Sequence, residues 1–130
     1  YKSLSEHPSQ QVVVFLDACF SGGGRNKGLV AMKSVKVKPK EESVLGNMVV
    51  FASSSGDESS AIYHEKNHGY FTYFLLKKLQ ETKGETDLIT LGNYILESVT
   101  KKAALMGKIQ TPQVNSSYEI GDKWESWKLK

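Results

Sequence analysis

The sequence predicts a layered α/β fold, in which helices pack on a sheet that contains parallel strands. Two short runs of β-branched and aromatic residues, at 12–16 and 48–52, are typical of strands buried on both faces of a parallel sheet. Two helical patterns and a short final strand follow them along the chain. This order of elements predicts alternating layers of helix and sheet.

The two buried strands each end in a polar loop. The first strand, at 12–16, stops before Asp17 and a triple glycine, and residues 22–46 then form a basic linker with little periodicity. The second strand, at 48–52, is followed by the serine-rich stretch 53–60. In open α/β sheets, binding sites lie beyond the carboxyl ends of the strands, so these two loops are the candidate site.

The remaining elements are two helices and a strand. Apolar residues at helical spacing predict a helix over 70–80. Thr90 is predicted to cap the start of a second helix that ends near Gly107. A short strand is predicted at 111–114, where Pro112 favours an edge position. Because three strands are few for a sheet covered on both faces, the chain is predicted to be part of a domain.

The composition of the chain excludes several classes of function. The 130 residues argue for one domain at most, and 17 basic against 14 acidic residues give a net charge of +3, too small to indicate nucleic-acid binding. No apolar run approaches a membrane span, and we find no secretory signal pattern. Cys19 is the single cysteine, which excludes a disulfide framework and a multi-cysteine metal site. A reduced cysteine is compatible with the cytoplasm but assigns no compartment.

Cys19 follows the end of the first predicted strand and precedes a triple glycine, which predicts a flexible loop. That position suits a nucleophile, whose thiolate would be exposed and whose own backbone N–H could face a developing oxyanion. The alternative is an inert buried cysteine, which is common in protein cores.

Four segments resemble the caspase-like cysteine peptidases. The stretch from Val14 to Gly22 resembles their nucleophile strand, and its Asp-Ala-Cys-x-Ser-Gly core is similar to the metacaspase and bacterial caspase-like branch. The three other matches follow in the family's order, so that the resemblance covers about residues 10 to 116. They are Ser59-Ser60-Ala61 after Asp57, His68-Gly69-Tyr70-Phe71-Thr72-Tyr73, and Gln110-Thr111-Pro112-Gln113.

The resemblance implies a caspase-like three-layer α/β/α sandwich with a mostly parallel sheet. The chain would supply its second half, with about three strands and two helices. In that organisation residues 1–130 are the cysteine-bearing C-terminal part of the peptidase domain, 22–46 is a processing-type linker and 117–130 is a tail.

The resemblance also implies a mechanism with a Cys–His dyad, in which Cys19 is the nucleophile. The catalytic histidine would lie before Tyr1, in an N-terminal half supplied as a companion chain or as removed sequence. His7 is expected at the surface, and His68 is expected at a helix start rather than as the base. We expect no cofactor or metal for the chemistry, no nucleic acid and no membrane as partners.

Substrate preference follows from acidic residues at matched positions. Asp17 and Asp57 would line the S1 pocket, where two carboxylates favour Arg or Lys at P1. The structural alternatives are a capping role for Asp17 and an ordinary Gly-Asp turn at Asp57. The resemblance also gives Ser53 and Ser54 main-chain contacts to an extended substrate.

The chain departs from the metacaspase pattern at two positions. Ser54 stands where metacaspases usually have a cysteine, and Ile62 stands where they have an acid. The depth of the pocket and any activation by calcium therefore stay open.

The basic linker offers sites for self-cleavage, since its side chains suit an acidic S1 pocket. The alternative is a solvated loop that contacts nothing. The candidate cleavage sites are Arg25, Lys27, Lys33, Lys36, Lys38 and Lys40.

Two other functions compete with an endopeptidase. A pseudo-peptidase would keep the fold and bind partners without catalysis, and it would lack a His-Gly in the preceding sequence. A flavodoxin-like signalling domain would use Asp17 at the strand end, but it predicts a helix where this chain has glycines.

Overall fold

The computed structural model describes residues 2–6, 9–17, 44–55, 58, 60–63 and 68–130. The predicted three strands and two helices are all present, together with shorter elements that the sequence did not indicate. In chain order the elements are α1 (Lys2–Ser5), β1 (Val12–Leu16), β2 (Met48–Ala52), β3 (Ile62–Tyr63), β4 (His68–Gly69), α2 (Tyr70–Thr82), α3 (Leu88–Leu105), β5 (Gln113–Ser116) and a 3₁₀ helix (Gly121–Ser126).

The main sheet has the strand order β1-β2-β5. β1 and β2 are parallel, in a register that pairs Val12 with Met48 and Leu16 with Ala52. β5 runs antiparallel to β2, so the sheet is mixed, and it begins at Gln113 rather than at the predicted residue 111. Because β1 and β2 are parallel, the residues that follow them emerge at the same edge of the sheet.

The two parallel strands differ in burial. The first four residues of β2 are buried, as predicted, but all five residues of β1 are only half-buried. Within the described residues β1 is therefore less buried than the sequence predicts. The physical reason is its place in the sheet, since in the described part of the chain β1 has a hydrogen-bonded neighbour on one side only.

Helices α2 and α3 pack together and cover one face of the sheet. α3 approaches the sheet closely at Gly92, where an added Cβ would lie 3.2 Å from Val114 and 3.3 Å from Phe51. No helix in the described residues is both long and apolar enough to cross a membrane. One cluster of buried residues packs between the helices and the sheet and consists of Val49, Phe51, Ala61, Tyr70, Phe71, Leu75, Leu88, Leu91, Ile95, Val99, Ala103, Ile120 and Trp124.

The helix ends follow local capping chemistry. α2 ends at Lys83, which adopts a left-handed conformation with φ 54°, and the following Gly84 donates its N–H to the carbonyl of Leu79. The N-cap of α3 is Asp87 and not Thr90, because the Asp87 carboxylate accepts the backbone N–H of Thr90 at 2.8 Å. The hydrogen bonds from Thr90 hold the pKa of the Asp87 carboxyl below its ordinary value.

The C-terminal segment is part of the core rather than a tail. Ile120 and Trp124 are buried, and the Trp124 ring meets Phe51 edge-on with centroids 6.3 Å apart. The backbone N–H of Leu88 donates to the carbonyl of Trp127 at 2.8 Å, which fastens this segment to the start of α3. Residues 117–130, predicted as a tail, therefore pack on the rest of the chain.

Candidate active site

The candidate site lies where β1 and β2 end. Asp17 directly follows β1 and Ser53 directly follows β2, and the N–H of Ser53 donates to the carbonyl of Leu16 at 2.8 Å. Ser53 is buried, whereas Ser54 is half-buried and donates its hydroxyl to the carbonyl of Glu58 at 3.3 Å. Three of the four predicted substrate-binding residues are thus brought to one edge of the sheet.

Several predicted residues lie outside the described part of the chain. Cys19, the predicted nucleophile, and Asp57, the predicted second acid of S1, are among them. So are the whole set of candidate cleavage sites, Arg25, Lys27, Lys33, Lys36, Lys38 and Lys40.

The carboxylate of Asp17 accepts two short hydrogen bonds from hydroxyl groups. Ser60 Oγ donates to Oδ1 at 2.6 Å, and Thr72 Oγ1 donates to Oδ2 at 2.5 Å. These lengths are those of charge-assisted bonds between a hydroxyl and a carboxylate. The two donors lie 43 and 55 residues from Asp17 in the sequence, one in the loop after β2 and one in the first turn of α2.

Because Gly69 has no side chain, the Asp17 carboxylate can lie directly against its backbone. A Cβ added at Gly69 would lie 2.5 Å from Asp17 Oδ2 and 3.2 Å from both Cγ and Oδ1. The backbone of Gly69, with φ −66° and ψ 156°, is extended and open to any residue. The glycine is therefore needed here for clearance of Asp17 and not for its own conformation.

Gln110 connects the two loops from inside the protein. Its side chain is 1% exposed, accepts the N–H of Ala61 at 2.8 Å and donates to the carbonyl of Ser53 at 2.8 Å. The same amide nitrogen also donates to Ser60 Oγ at 3.3 Å. Because a backbone N–H can only donate and a carbonyl can only accept, these contacts fix which end of the Gln110 amide carries the nitrogen.

We call Asp17, Ser60, Gly69, Thr72 and Gln110 the Asp17 network. Its members come from four separate parts of the chain, and each part is one of the four segments that carry the family resemblance. The sequence indicated those segments but gave a site role only to Asp17. The hydroxyls and the amide were missed, since no local pattern shows that they meet.

A second carboxylate, that of Glu58, holds the serine-rich loop against the start of β5. Glu58 Oε2 accepts the N–H of Thr111 at 2.6 Å and that of Ser55 at 3.4 Å, and Oε1 accepts the Thr111 hydroxyl at 3.0 Å. Burial by itself raises the pKa of Glu58, but the hydrogen bonds from Thr111 and Ser55 outweigh it. The pKa of Glu58 consequently lies below its ordinary value of 4.5.

The lowered pKa of Glu58 predicts an acid-sensitive contribution to stability. The contribution is present in full above the unfolded-state pKa, about 4.5, and is lost as the pH falls through the lower folded-state value. We expect the Glu58→Gln variant to lose less unfolding free energy than the wild type below about pH 4.5. Denaturant titrations from pH 3 to 7 measure this difference.

The control is Glu97→Gln, which removes an exposed carboxyl from α3. Its pH profile should follow that of the wild type. Parallel profiles for the wild type and Glu58→Gln in the acid range would show that the Glu58 contacts do not stabilise the fold.

With this geometry established, the comparison with known proteins assigns the family. A caspase-domain family model matches residues 1–119. The chain belongs to the caspase-domain family. The predicted caspase-like fold is therefore confirmed, with helices packed on a sheet that is mixed in the described residues.

The crystal structure of caspase-1 from Spodoptera frugiperda matches at 20% identity and a TM-score of 0.49, over 78% of this chain. The match spans 41% of the length of that caspase chain. No curated protein matches the chain.

The one histidine in the described part of this caspase domain is His68. It is exposed and lies in β4 directly before α2, at the helix start that the sequence indicated. Among the described residues no group of three or more His, Cys, Asp and Glu side chains is arranged to hold a metal ion.

Proposed function

We propose that the chain is the cysteine-bearing part of an endopeptidase that cleaves after Arg or Lys, of the metacaspase-like branch of the family. The observation that carries the proposal is the fixed carboxylate of Asp17. It stands at the carboxyl end of β1, two residues before Cys19, and is held by two hydroxyl donors.

The proposed chemistry is nucleophilic catalysis by Cys19. The thiolate attacks the scissile carbonyl, the amine leaves with a proton from the histidine of the dyad, and water then hydrolyses the acyl-enzyme. That histidine is proposed to lie in the N-terminal half of the domain, before Tyr1. No cofactor enters this scheme.

The proposed specificity comes from charge pairing in the S1 pocket. A planar carboxylate accepts a guanidinium through two parallel hydrogen bonds and accepts an ammonium as a point charge. We propose Asp17 and Asp57 as the acidic residues of this pocket. An aspartate at P1 would meet like charge there, which disfavours it.

The strand edge beyond β2 is proposed to hold the substrate main chain. Ser53 donates its N–H to Leu16 and accepts at its carbonyl from Gln110, so its main-chain groups are already bonded within the domain. Ser54 is half-buried and follows it. We therefore expect Ser54 to make the main-chain contact to an extended peptide, while Ser53 fixes the position of the loop.

The proposed partner is the His-bearing half of the same domain. β1 consists of five consecutive apolar residues, and all of them are only half-buried. Such a composition is typical of a strand with neighbours on both sides. We expect the other half, as a companion chain or as preceding sequence, to add a strand beside β1 and bury it.

A covalent probe tests the function. The chain is combined with the His-bearing half and treated with peptidyl acyloxymethyl ketones that carry Arg or Asp at P1. We expect the Arg probe to label Cys19 and the Asp probe to leave it unlabelled, with peptide mass mapping as the measurement. The same spectra report cuts between Arg25 and Lys40, which the proposed self-processing requires.

The control is Cys19→Ser, which should take no label. Labelling of Cys19 by the Asp probe alone would contradict the proposed specificity. If neither probe labels Cys19 in the combined sample, the proposed function is overturned, and the non-catalytic scaffold becomes the better interpretation.

A further inference from the structure

The Asp17 network contains two hydroxyl groups to which the proposed function assigns no role. Ser60 and Thr72 each donate to a different oxygen of the Asp17 carboxylate. We propose that Ser60 and Thr72 are specificity-positioning residues, whose hydroxyls hold the plane of the Asp17 carboxylate in the orientation that receives a P1 guanidinium. This inference rests on the proposed function, which makes Asp17 the partner of a basic side chain.

The direction of the bond from Ser60 is imposed by its surroundings. The Gln110 amide nitrogen donates to Ser60 Oγ, and its orientation is itself fixed by Ala61 and Ser53. A hydroxyl has one proton, and a carboxylate can only accept it. The Ser60 proton therefore points at Asp17, and the chain of donors runs from Gln110 through Ser60 to the carboxylate.

Backbone hydrogen bonds join the segments that carry Ser60 and Thr72. The N–H of Tyr70, the first residue of α2, donates to the carbonyl of Ala61 at 3.0 Å. Strands β3 and β4 pair directly beside this contact, with Ile62 opposite Gly69. These contacts join the segment that carries Ser60 to the start of the helix that carries Thr72, and the two hydroxyls each bond one oxygen of the carboxylate.

A fixed carboxylate plane matters more for Arg than for Lys. The guanidinium is a rigid fork whose two parallel bonds need a coplanar acceptor, whereas an ammonium accepts a range of carboxylate orientations. If the hydroxyls act on orientation, their loss should lower cleavage after Arg more than cleavage after Lys. A purely structural role would lower the cleavage of all substrates by the same factor.

The test compares Thr72→Val with the wild type in the assembled peptidase that contains the His-bearing half. Valine keeps the β-branched shape and removes the hydroxyl. Peptides that differ only in P1 carry Arg, Lys or the neutral isostere citrulline. We expect kcat/KM to fall about tenfold for Arg, about threefold for Lys and less than twofold for citrulline. The ratio of two substrates on one enzyme sample does not depend on how much of the enzyme is folded.

Three further variants make the result specific. Thr72→Ser restores the hydroxyl and should recover the Arg to Lys ratio to within about threefold of the wild type. Ser60→Ala should shift the ratio in the same direction as Thr72→Val. Thr82→Val is the matched control on the same helix, because the Thr82 hydroxyl donates to the carbonyl of Lys78 at the far end of α2.

The outcomes separate the two proposals. If kcat/KM of Thr72→Val falls equally for all three substrates, or falls for none of them, the positioning role is overturned. The proposed function still stands in that case, provided that the wild type prefers Arg and Lys over citrulline. A wild type without preference for Arg or Lys over citrulline would overturn the proposed specificity, and the positioning role with it.

Discussion

Replacement of Gly69 by alanine should disrupt the Asp17 network by steric contact with the carboxylate. The new Cβ would lie 2.5 Å from Asp17 Oδ2, a separation that real Cβ contacts do not show. The carboxylate is held by Ser60 and Thr72, so it cannot move without breaking those bonds. Because hydrogen bonds to a charged group are worth about 1.5–3 kcal/mol each, we expect the free energy of unfolding to fall by about 2–4 kcal/mol.

The backbone at Gly69 makes this substitution informative. Its φ of −66° and ψ of 156° suit alanine, so the variant introduces no conformational strain of its own. Removal of glycine flexibility from the unfolded chain should even stabilise the protein by about 0.4–1 kcal/mol. The contact with Asp17 is therefore the expected cause of any loss of stability.

A double-mutant cycle with Asp17→Ala isolates that contact. In the Asp17→Ala background the carboxylate is gone, and Gly69→Ala should become neutral or slightly stabilising. Denaturant unfolding of the four proteins gives the coupling energy, which we expect to exceed about 2 kcal/mol. Equal costs of Gly69→Ala in both backgrounds would mean that the glycine is required for another reason.

The elements of the fold were predictable because each depends on residues close in sequence. The apolar runs at β1 and β2 gave both strands with their observed bounds, and the apolar spacing after Gly69 gave α2. The Lys83-Gly84 pair also predicts the end of α2, although the residue at the C-cap in the left-handed conformation is Lys83.

Other features required information that a local pattern does not carry. Thr90 and Asp87 are both residues that cap helices, and only the backbone path shows that the Asp87 side chain turns back onto the N–H of Thr90. The half-burial of β1 depends on its position at the side of the sheet and not on its composition. Trp124 lies in a charged stretch, yet it is buried because Phe51 offers it an apolar surface.

The candidate site was likewise predictable only where it depends on residues that are close in sequence. Asp17 could be recognised from its place beside Cys19, but its donors lie 43 and 55 residues away. The family resemblance identified the four segments but did not show which contacts join them. The structure supplies the physical connection, which is that one segment provides the carboxylate, two provide hydroxyls and the fourth provides the amide that orients one of them.

Gln110 is the member of the network whose loss should cost the fold most. Its amide satisfies the backbone N–H of Ala61 and the carbonyl of Ser53, and it is almost fully buried. Gln110→Met keeps nearly the same volume and removes both the donor and the acceptor. Because each unsatisfied buried polar group costs about 1–3 kcal/mol, we expect the free energy of unfolding to fall by about 3 kcal/mol or more.

The matched control is Gln113→Met, three residues along the chain in β5 and only half-buried. It should change the free energy of unfolding by less than about 1 kcal/mol. Amide hydrogen exchange adds a local measurement, since the N–H of Ala61 should lose protection in Gln110→Met and keep it in Gln113→Met. If the Ala61 amide stays protected and both variants unfold alike, Gln110 does not hold the two loops together. The donation from Gln110 to Ser60 would then contribute nothing to holding the Ser60 hydroxyl on the Asp17 carboxylate.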